Sequence, residues 1–343
     1  MITSNLHEMI DLLPAMLQAF AAEENTNVTT DSGLTKEMKT FYDKAIIRLA
    51  EPELVHDQFA QKRPIPKNGG KTIEFRKYAP LGKQMDPLTE GVTPDGQKLS
   101  VTTIEATVKQ FGGYITMSDQ LLLTAIDNNL MEALTLLSGQ AARTLDSITR
   151  EVLAAGTNVQ YADGKRTSRA ELAWTSDEEN DNLNVRGVRM AVRTLKNQNA
   201  KKIGASYVGI IHPDVSFDLM SDPEWKYPHQ YKDTGNLYAE EIGEIGGVRF
   251  VETTEAKKFP SAGADGRDVY ATLILGANAY GVTEIADGGL QTIVKQLGSA
   301  GTGDPLNQRA TVGWKAMKTA VRLVEEYMVR VETTASTNDH LAN

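Results

Sequence analysis

No cysteine occurs in the 343 residues. That absence excludes disulfides, thiolate nucleophiles and zinc–cysteine sites, so stability has to come from burial or from association. No apolar run approaches the roughly 20 residues that a membrane helix requires. The patch Leu12-Leu13-Pro14-Ala15-Met16-Leu17 is short, follows acidic residues and lacks a basic leader, which makes it a poor secretion signal. Positive charge is in deficit, with a net charge of −9. This argues against tight, non-specific nucleic-acid binding by the whole chain, which needs clustered Lys and Arg. It remains compatible with a wall that encloses nucleic acid without sticking to it. No internal repeat is present.

The spacings that carry metal, nucleotide or nucleophile chemistry are also missing. His7, His56, His229 and His340 lack helix-face metal spacing. Asn68-Gly69-Gly70-Lys71-Thr72 ends like a phosphate-binding loop, but Ile65 stands where the first glycine belongs. A strand follows it where a helix should. In Gly301-Thr302-Gly303 a dinucleotide fingerprint would need glycine at Leu306. His212, Asp214 and Ser216 follow a buried strand, where α/β enzymes place reactive groups. They crowd into one turn, whereas triad members come from separate elements. The simpler reading is a Pro213–Asp214 turn, with Asp214 or Ser216 capping the next helix. No cofactor, metal site or catalytic residue is expected.

What is present is ordinary in bulk and unusual in arrangement. Hydrophobic residues make up 41% and charged residues 24% of the chain, as in soluble globular proteins, and the length suggests two domains. A short helix and a polar linker are expected over residues 1–34, and a helix over Thr35–Glu51 closed by Pro52. Arg63-Pro64-Ile65-Pro66 is extended because alternating prolines block helix. Lys71–Tyr78 and Leu99–Val108 alternate polar and apolar residues and are rich in β-branched ones, the pattern of two strands. The connection between them is far longer than the usual hairpin loop of about 2–5 residues. Two strong strands flanking so long a connection point to a limb that grips a neighbour.

Phe111–Asp119 reads as a strand running into a helix cap. A long helix follows from Asn129, with Glu132 completing a capping box. Leu130, Leu134, Leu137, Ala141, Leu145, Ile148 and Val152 form its apolar stripe, and Gly156 is the expected stop. A second domain begins near Leu183, with a helix over Val185–Asn197, a strand over Tyr207–Ile211, a hairpin turn at Gly246-Gly247 and a buried strand over Ala271–Gly276. Two closing β segments, Arg309–Trp314 and Thr319–Val331, are expected to rejoin the first domain's sheet.

Lys62, Arg63, Lys67, Lys71, Arg76, Lys77 and Lys83 form a basic run before the limb's tip, and Asp86, Glu90 and Asp95 an acidic run after it. Three readings stand: nucleic-acid contact, a self-complementary limb whose basic side meets an acidic neighbour, or a solvated surface.

The order of elements and several sequence words carry a resemblance. Glu37–Lys44, Arg63–Arg76, Leu88–Gly96, Ile211–Val215 and Ile245–Glu252 resemble the tailed-bacteriophage major capsid proteins of the Hong Kong 97-type fold, in the family named after phage N-four. The likeness runs over roughly residues 35–332. It implies an α+β fold with an N-terminal arm and helix (1–60), an extended E-loop hairpin and its flanks (61–110), a peripheral domain (111–182) with a spine helix (129–156), an axial domain (183–290), and return strands with a tail (291–343). It implies a structural protein, not an enzyme. Such a chain self-assembles into pentamers and hexamers of an icosahedral shell around double-stranded DNA, without sequence-specific binding or a membrane. Its partners would be itself, a portal, a scaffolding protein and a decoration protein, in a virion assembled in the bacterial cytoplasm. Inter-subunit contacts would fall on the E-loop at Phe75, Arg76, Lys77, Tyr78, Lys83, Asp86, Glu90 and Asp95. The competing readings are a non-viral self-associating scaffold or binding module, and an α/β enzyme using His212 and Asp214.

Overall fold

The computed structural model describes residues 54–65, 71–79, 81–124, 129–174, 180–225, 241–284, 290–299 and 303–337. The helices expected before Pro52, the Asn68-Gly69-Gly70 turn, Lys67, most of the Gly301 loop, and His7, His229 and His340 lie outside these residues.

The chain opens with β1 (Gln61–Arg63), β2 (Thr72–Tyr78), β3 (Val101–Thr107) and β4 (Lys109–Ser118). Helices α1 (Asp119–Thr124) and α2 (Asn129–Ala154) follow, then β5 (Val159–Tyr161). The next stretch is α3 (Val185–Asn197), β6 (Tyr207–Ile211), α4 (Pro213–Ser221), β7 (Glu241–Ile245) and β8 (Val248–Glu252). The last is β9 (Lys258–Phe259), β10 (Val269–Leu275), β11 (Tyr280–Thr283), β12 (Leu290–Lys295), β13 (Arg309–Lys318), β14 (Ala320–Arg322) and β15 (Met328–Thr333).

The largest sheet has the order β5-β15-β10-β6-β8-β7, with β9 beside β10. Its middle strands β6, β10 and β15 are buried along their whole lengths. Continuous apolar runs in β6 and β10 follow from covering both faces. One face packs against α3 and α4 through Val188, Val192, Leu195, Val215 and Leu219. The other packs against Val55, Phe59, Leu153 and Tyr280. Asn184 caps α3 by accepting from the Gly187 N–H at 2.7 Å. Gly246 (φ +63°) and Gly247 (φ +85°) make the two-residue turn between β7 and β8, where left-handed backbone is required.

Two expectations about the closing strands change. Thr319–Val331 is not one β segment: β14 and β15 are separated by a 3-10 turn at Glu325–Tyr327. Nor does β15 join β4; it meets the region before residue 182 through β5 alone among the described strands. It pairs antiparallel with β10 and parallel with β5, inside the large sheet. β13 returns to β4, antiparallel from Arg309↔Ser118 to Lys318↔Lys109. The reason lies in burial. Every residue of β15 is buried, including Arg330 and Glu332, so it needs a site covered on both faces.

Helix α2 is 26 residues long, about 39 Å at 1.5 Å per residue. Leu134, Leu137, Ala141 and Leu145 are buried as the stripe requires. Beyond Leu145 the buried line runs through Asp146, Thr149, Arg150 and Leu153, while Ile148 and Val152 are half-buried. An apolar count misses that turn because three of its inward side chains are polar. The helix ends at Ala154, two residues before Gly156, and its last turn has no basic residue of its own. Instead Arg322 Nη1 donates to the Val152 carbonyl at 2.7 Å, and Arg330 Nη1 donates to the carbonyls of Ala154 and Gly156. These two arginines satisfy the orphaned carbonyls and oppose the negative end of the helix dipole.

Candidate assembly interface

Strands β2 and β3 pair from Thr72↔Thr107 to Tyr78↔Val101, and a further bond from the Ala79 N–H to the Ser100 carbonyl (3.0 Å) extends the ladder. Alternation decides which side chains are free. Ile73, Phe75 and Ala106 point inward and form a small core with Ile65, Ile104, Val108, Val321 and Leu323. Phe75 is 1% exposed, and its ring lies over Gly281, where an added Cβ would come within 2.4 Å of ring carbon Cε1. Phe75 therefore anchors the hairpin to its own subunit and is withdrawn from the contact residues expected on the limb. Arg76 and Tyr78 point outward, Tyr78 being 61% exposed.

Beyond the ladder, every described residue from Leu81 to Ser100 is exposed. This stretch has some order of its own. The Val92 N–H donates to the Thr89 carbonyl at 3.1 Å, with Gly91 at φ +78° in the third position of the turn. Gln97 Nε2 donates to the Gly82 carbonyl at 3.0 Å and ties the two sides together. Lys83, Asp86, Glu90 and Asp95 all stand in solvent here. Lys77 lies 3.9 Å from Glu326, a half-exposed pair of little energetic weight.

Charge is only part of this surface. Leu81, Met85, Leu88, Val92, Leu99 and Val101 are exposed as well, Met85 at 82%. The sequence reading singled out the limb's charges and passed over these apolar side chains. They recur every few residues among Pro, Gly and charge, with no helix or strand period to mark them. Large apolar side chains grouped on one exposed segment are uncommon on a surface that stays in water.

Beneath the hairpin, a buried polar cluster joins segments distant in sequence. The His56 N–H donates to Asp146 Oδ1 at 2.8 Å, and the His56 ring Nδ1 meets Asp146 Oδ2 at 2.6 Å. Next to it, Lys318 Nζ donates to Asp57 Oδ2, and Thr149 Oγ1 donates to Asp57 Oδ1 at 2.6 Å. The Tyr280 hydroxyl donates to the His56 carbonyl. Burial, with the Asp57 and Asp146 carboxylates nearby, pushes the Tyr280 phenol well above its ordinary value. All six residues are buried. Among the described residues, His56 Nε2 is left without a hydrogen-bond partner, while the ion pairs tie together the elements that carry them. Here those elements are residues 54–60, α2, β11 and β13.

The His212 cluster serves the fold. His212, not Asp214 or Ser216, caps α4: its Nδ1 accepts from the Asp214 N–H at 3.2 Å. Asp214 accepts from the Tyr270 hydroxyl at 2.7 Å, and Ser216 Oγ donates to Glu252 at 2.7 Å. Ser216 is thus engaged with a different carboxylate from the one beside His212, and the three residues form no nucleophilic relay.

A family model described as phage capsid protein matches residues 101–331. No curated protein matches. Among solved structures, the capsid of Ralstonia phage GP4 superimposes with a TM-score of 0.65 at 14% identity, covering 82% of this chain and 87% of that one. The head structure of Helicobacter pylori bacteriophage KHP40 gives a TM-score of 0.57 at 13% identity, covering 82% and 88%. The capsid of Cyanophage P-SCSP1u gives 0.57 at 12% identity, covering 82% and 87%. At these identities the likeness is one of fold.

Proposed function

This chain belongs to the phage capsid protein family, a structural protein of the capsid shell and not an enzyme, and on that footing we propose how it builds the shell. It is the major capsid protein of a tailed phage with a Hong Kong 97-like fold. Copies join in pentamers and hexamers, and these close an icosahedral head around double-stranded DNA. The observation that carries the proposal is the limb. Its base is locked into its own subunit by Ile73, Phe75 and Ala106, while its distal half presents apolar side chains to solvent.

In this reading residues 71–109 are the E-loop and α2 is the spine helix. The limb lies across an adjacent subunit, with Arg76, Lys77, Tyr78, Lys83, Asp86, Glu90 and Asp95 in contact and Met85, Leu88 and Val92 supplying apolar area. One surface meeting a different surface on the next copy is a heterologous contact, the kind that closes into rings. The axial domain takes residues 183–290, extended by β5 and β15, which share its sheet. The peripheral domain keeps α2, β4, β12 and β13. Portal, scaffolding and decoration proteins are the further partners, and assembly takes place in the host cytoplasm.

The test is negative-stain electron microscopy with sizing chromatography, on the wild type and on a deletion of residues 79–98. The wild type is expected to form shells, tubes or capsomer rings when co-expressed with its phage assembly partners. The deletion is expected to fold, since the inward core at Phe75 is untouched, yet to form none of them. Normal shells from the deletion would remove the limb from the mechanism.

A further inference from the structure

Helix α3 carries Arg186, Arg189, Arg193 and Lys196 and no acidic residue. Steps of three, four and three place all four on one side of the helix. The opposite side, including Val188, Ala191 and Leu195, is buried in the core. The cations therefore form a solvent-facing row about 15 Å long. Two carboxylates oppose its N-terminal half. Arg186 Nε lies 3.9 Å from Asp163, and Arg189 Nη1 lies 2.9 Å from Glu224. Arg189 and Glu224 are both more than half exposed, so that pair is weak and readily exchanged. Among the described residues, Arg193 and Lys196 have no carboxylate partner within 4.0 Å.

A shallow groove of about 270 Å³ runs beside this row, lined by Arg189, Val192, Arg193, Lys196, Asn197 and Gly246. Three of the six are cations and none is an acid. Gly246, in the turn between β7 and β8, leaves that wall without a side chain. The exposed side chains of the helix are all polar: Arg186, Arg189, Arg193, Lys196 and Asn197. A protein-docking surface has an apolar or aromatic centre, as the limb does, and lacks charge there. A surface that meets a phosphate backbone is polar and basic throughout. In a chain of net charge −9, this row is a local reversal of sign.

We propose that this side of α3 binds the phosphate backbone of double-stranded DNA, without reading bases. The identity of the polyanion rests on the reading of the chain as a DNA-enclosing shell protein. The contact itself rests on the row and the groove.

The test uses full-length subunits, kept dilute and unassembled, and a fluorescent 30-base-pair duplex followed by anisotropy between 50 and 200 mM salt. Four phosphate contacts predict a log–log salt slope of about −3.6. Arg193→Glu/Lys196→Glu removes two of them. It should weaken binding at least about tenfold at low salt and reduce the slope by about 2. Lys295→Glu/Lys315→Glu makes the same change in net charge on a different sheet and should retain most of the affinity. Arg193→Gln/Lys196→Gln is the second variant should the reversal fail to fold. Equal losses in both Glu pairs, unchanged binding in the α3 pair, or no binding by the wild type would overturn the proposal. So would a loss of shell formation in the α3 variants with DNA affinity intact, which would assign the row to a contact between copies. Shells that form while DNA binding is absent would sink this inference and leave the shell function standing.

Discussion

Lys318→Met is the sharpest test of the buried cluster. Lys318 is the last residue of β13 and is 1% exposed, with its ammonium on Asp57. Among the described residues it is the one cation within 4.0 Å of that carboxylate. At an effective dielectric of about 20, unit charges about 3 Å apart attract by about 5 kcal/mol. Methionine fills much of the lysine's volume, so the cavity left behind is small. What remains is Asp57, buried, with Thr149 as its hydrogen-bond donor and no counter-charge. Breaking one side of such a pair costs about 3–5 kcal/mol. Asp57→Asn/Lys318→Met removes the stranded charge and should recover about 2 kcal/mol of that loss, within the range of couplings between contacting residues. The assay is urea unfolding of unassembled subunits at pH 7, run as a double-mutant cycle. A loss below about 1 kcal/mol for Lys318→Met, or additive effects in the double variant, would refute an ionic anchor at this position.

Two further outcomes follow from the same region. Gly281→Val should displace the Phe75 ring, since even a Cβ would fall 2.4 Å from it. The expected cost is about 1–3 kcal/mol of overpacking, seen as faster proteolysis at the base of the limb, and unchanged cleavage would count against that packing. Tyr280 supplies a dependence on alkaline pH. Its folded pKa is raised, so its contribution is complete below the unfolded value of about 10 and is lost as pH rises through the folded value. Tyr280→Phe should therefore show a shallower fall in stability between pH 9 and pH 11 than the wild type, by up to about 1.4 kcal/mol per pH unit. Parallel curves would remove Tyr280 as the source.

Local pattern alone determined much of this protein. The alternation of Ile73 and Phe75, the stripe from Leu134 to Leu145, and the helix from Val185 all record a period of two or 3.6 in consecutive residues. Each of these elements formed where its period placed it. Sequence words such as Arg63–Arg76, Leu88–Gly96 and Ile245–Glu252 carried the likeness to tailed-phage capsid proteins. Tertiary structure decided which partners those elements took. Phe75 alternates like any strand residue, but only the position of Gly281 turns it into an anchor rather than a contact. β15 is apolar enough for either sheet, and its buried Arg330 and Glu332 settle in the one that also offers Arg169, whose guanidinium meets Glu332 at 2.7 Å. His212 rather than Asp214 caps α4 because the helix starts at Pro213, which leaves Asp214 inside the first turn, where it accepts from Tyr270, 56 residues away. The buried cluster was beyond any local reading, since His56 and Asp146 are 90 residues apart and Asp57 and Lys318 are 261 apart. A polar side chain is costly to bury until its partner arrives. Periodicity therefore marks where apolar groups turn inward, and only the completed fold shows which charged ones can follow.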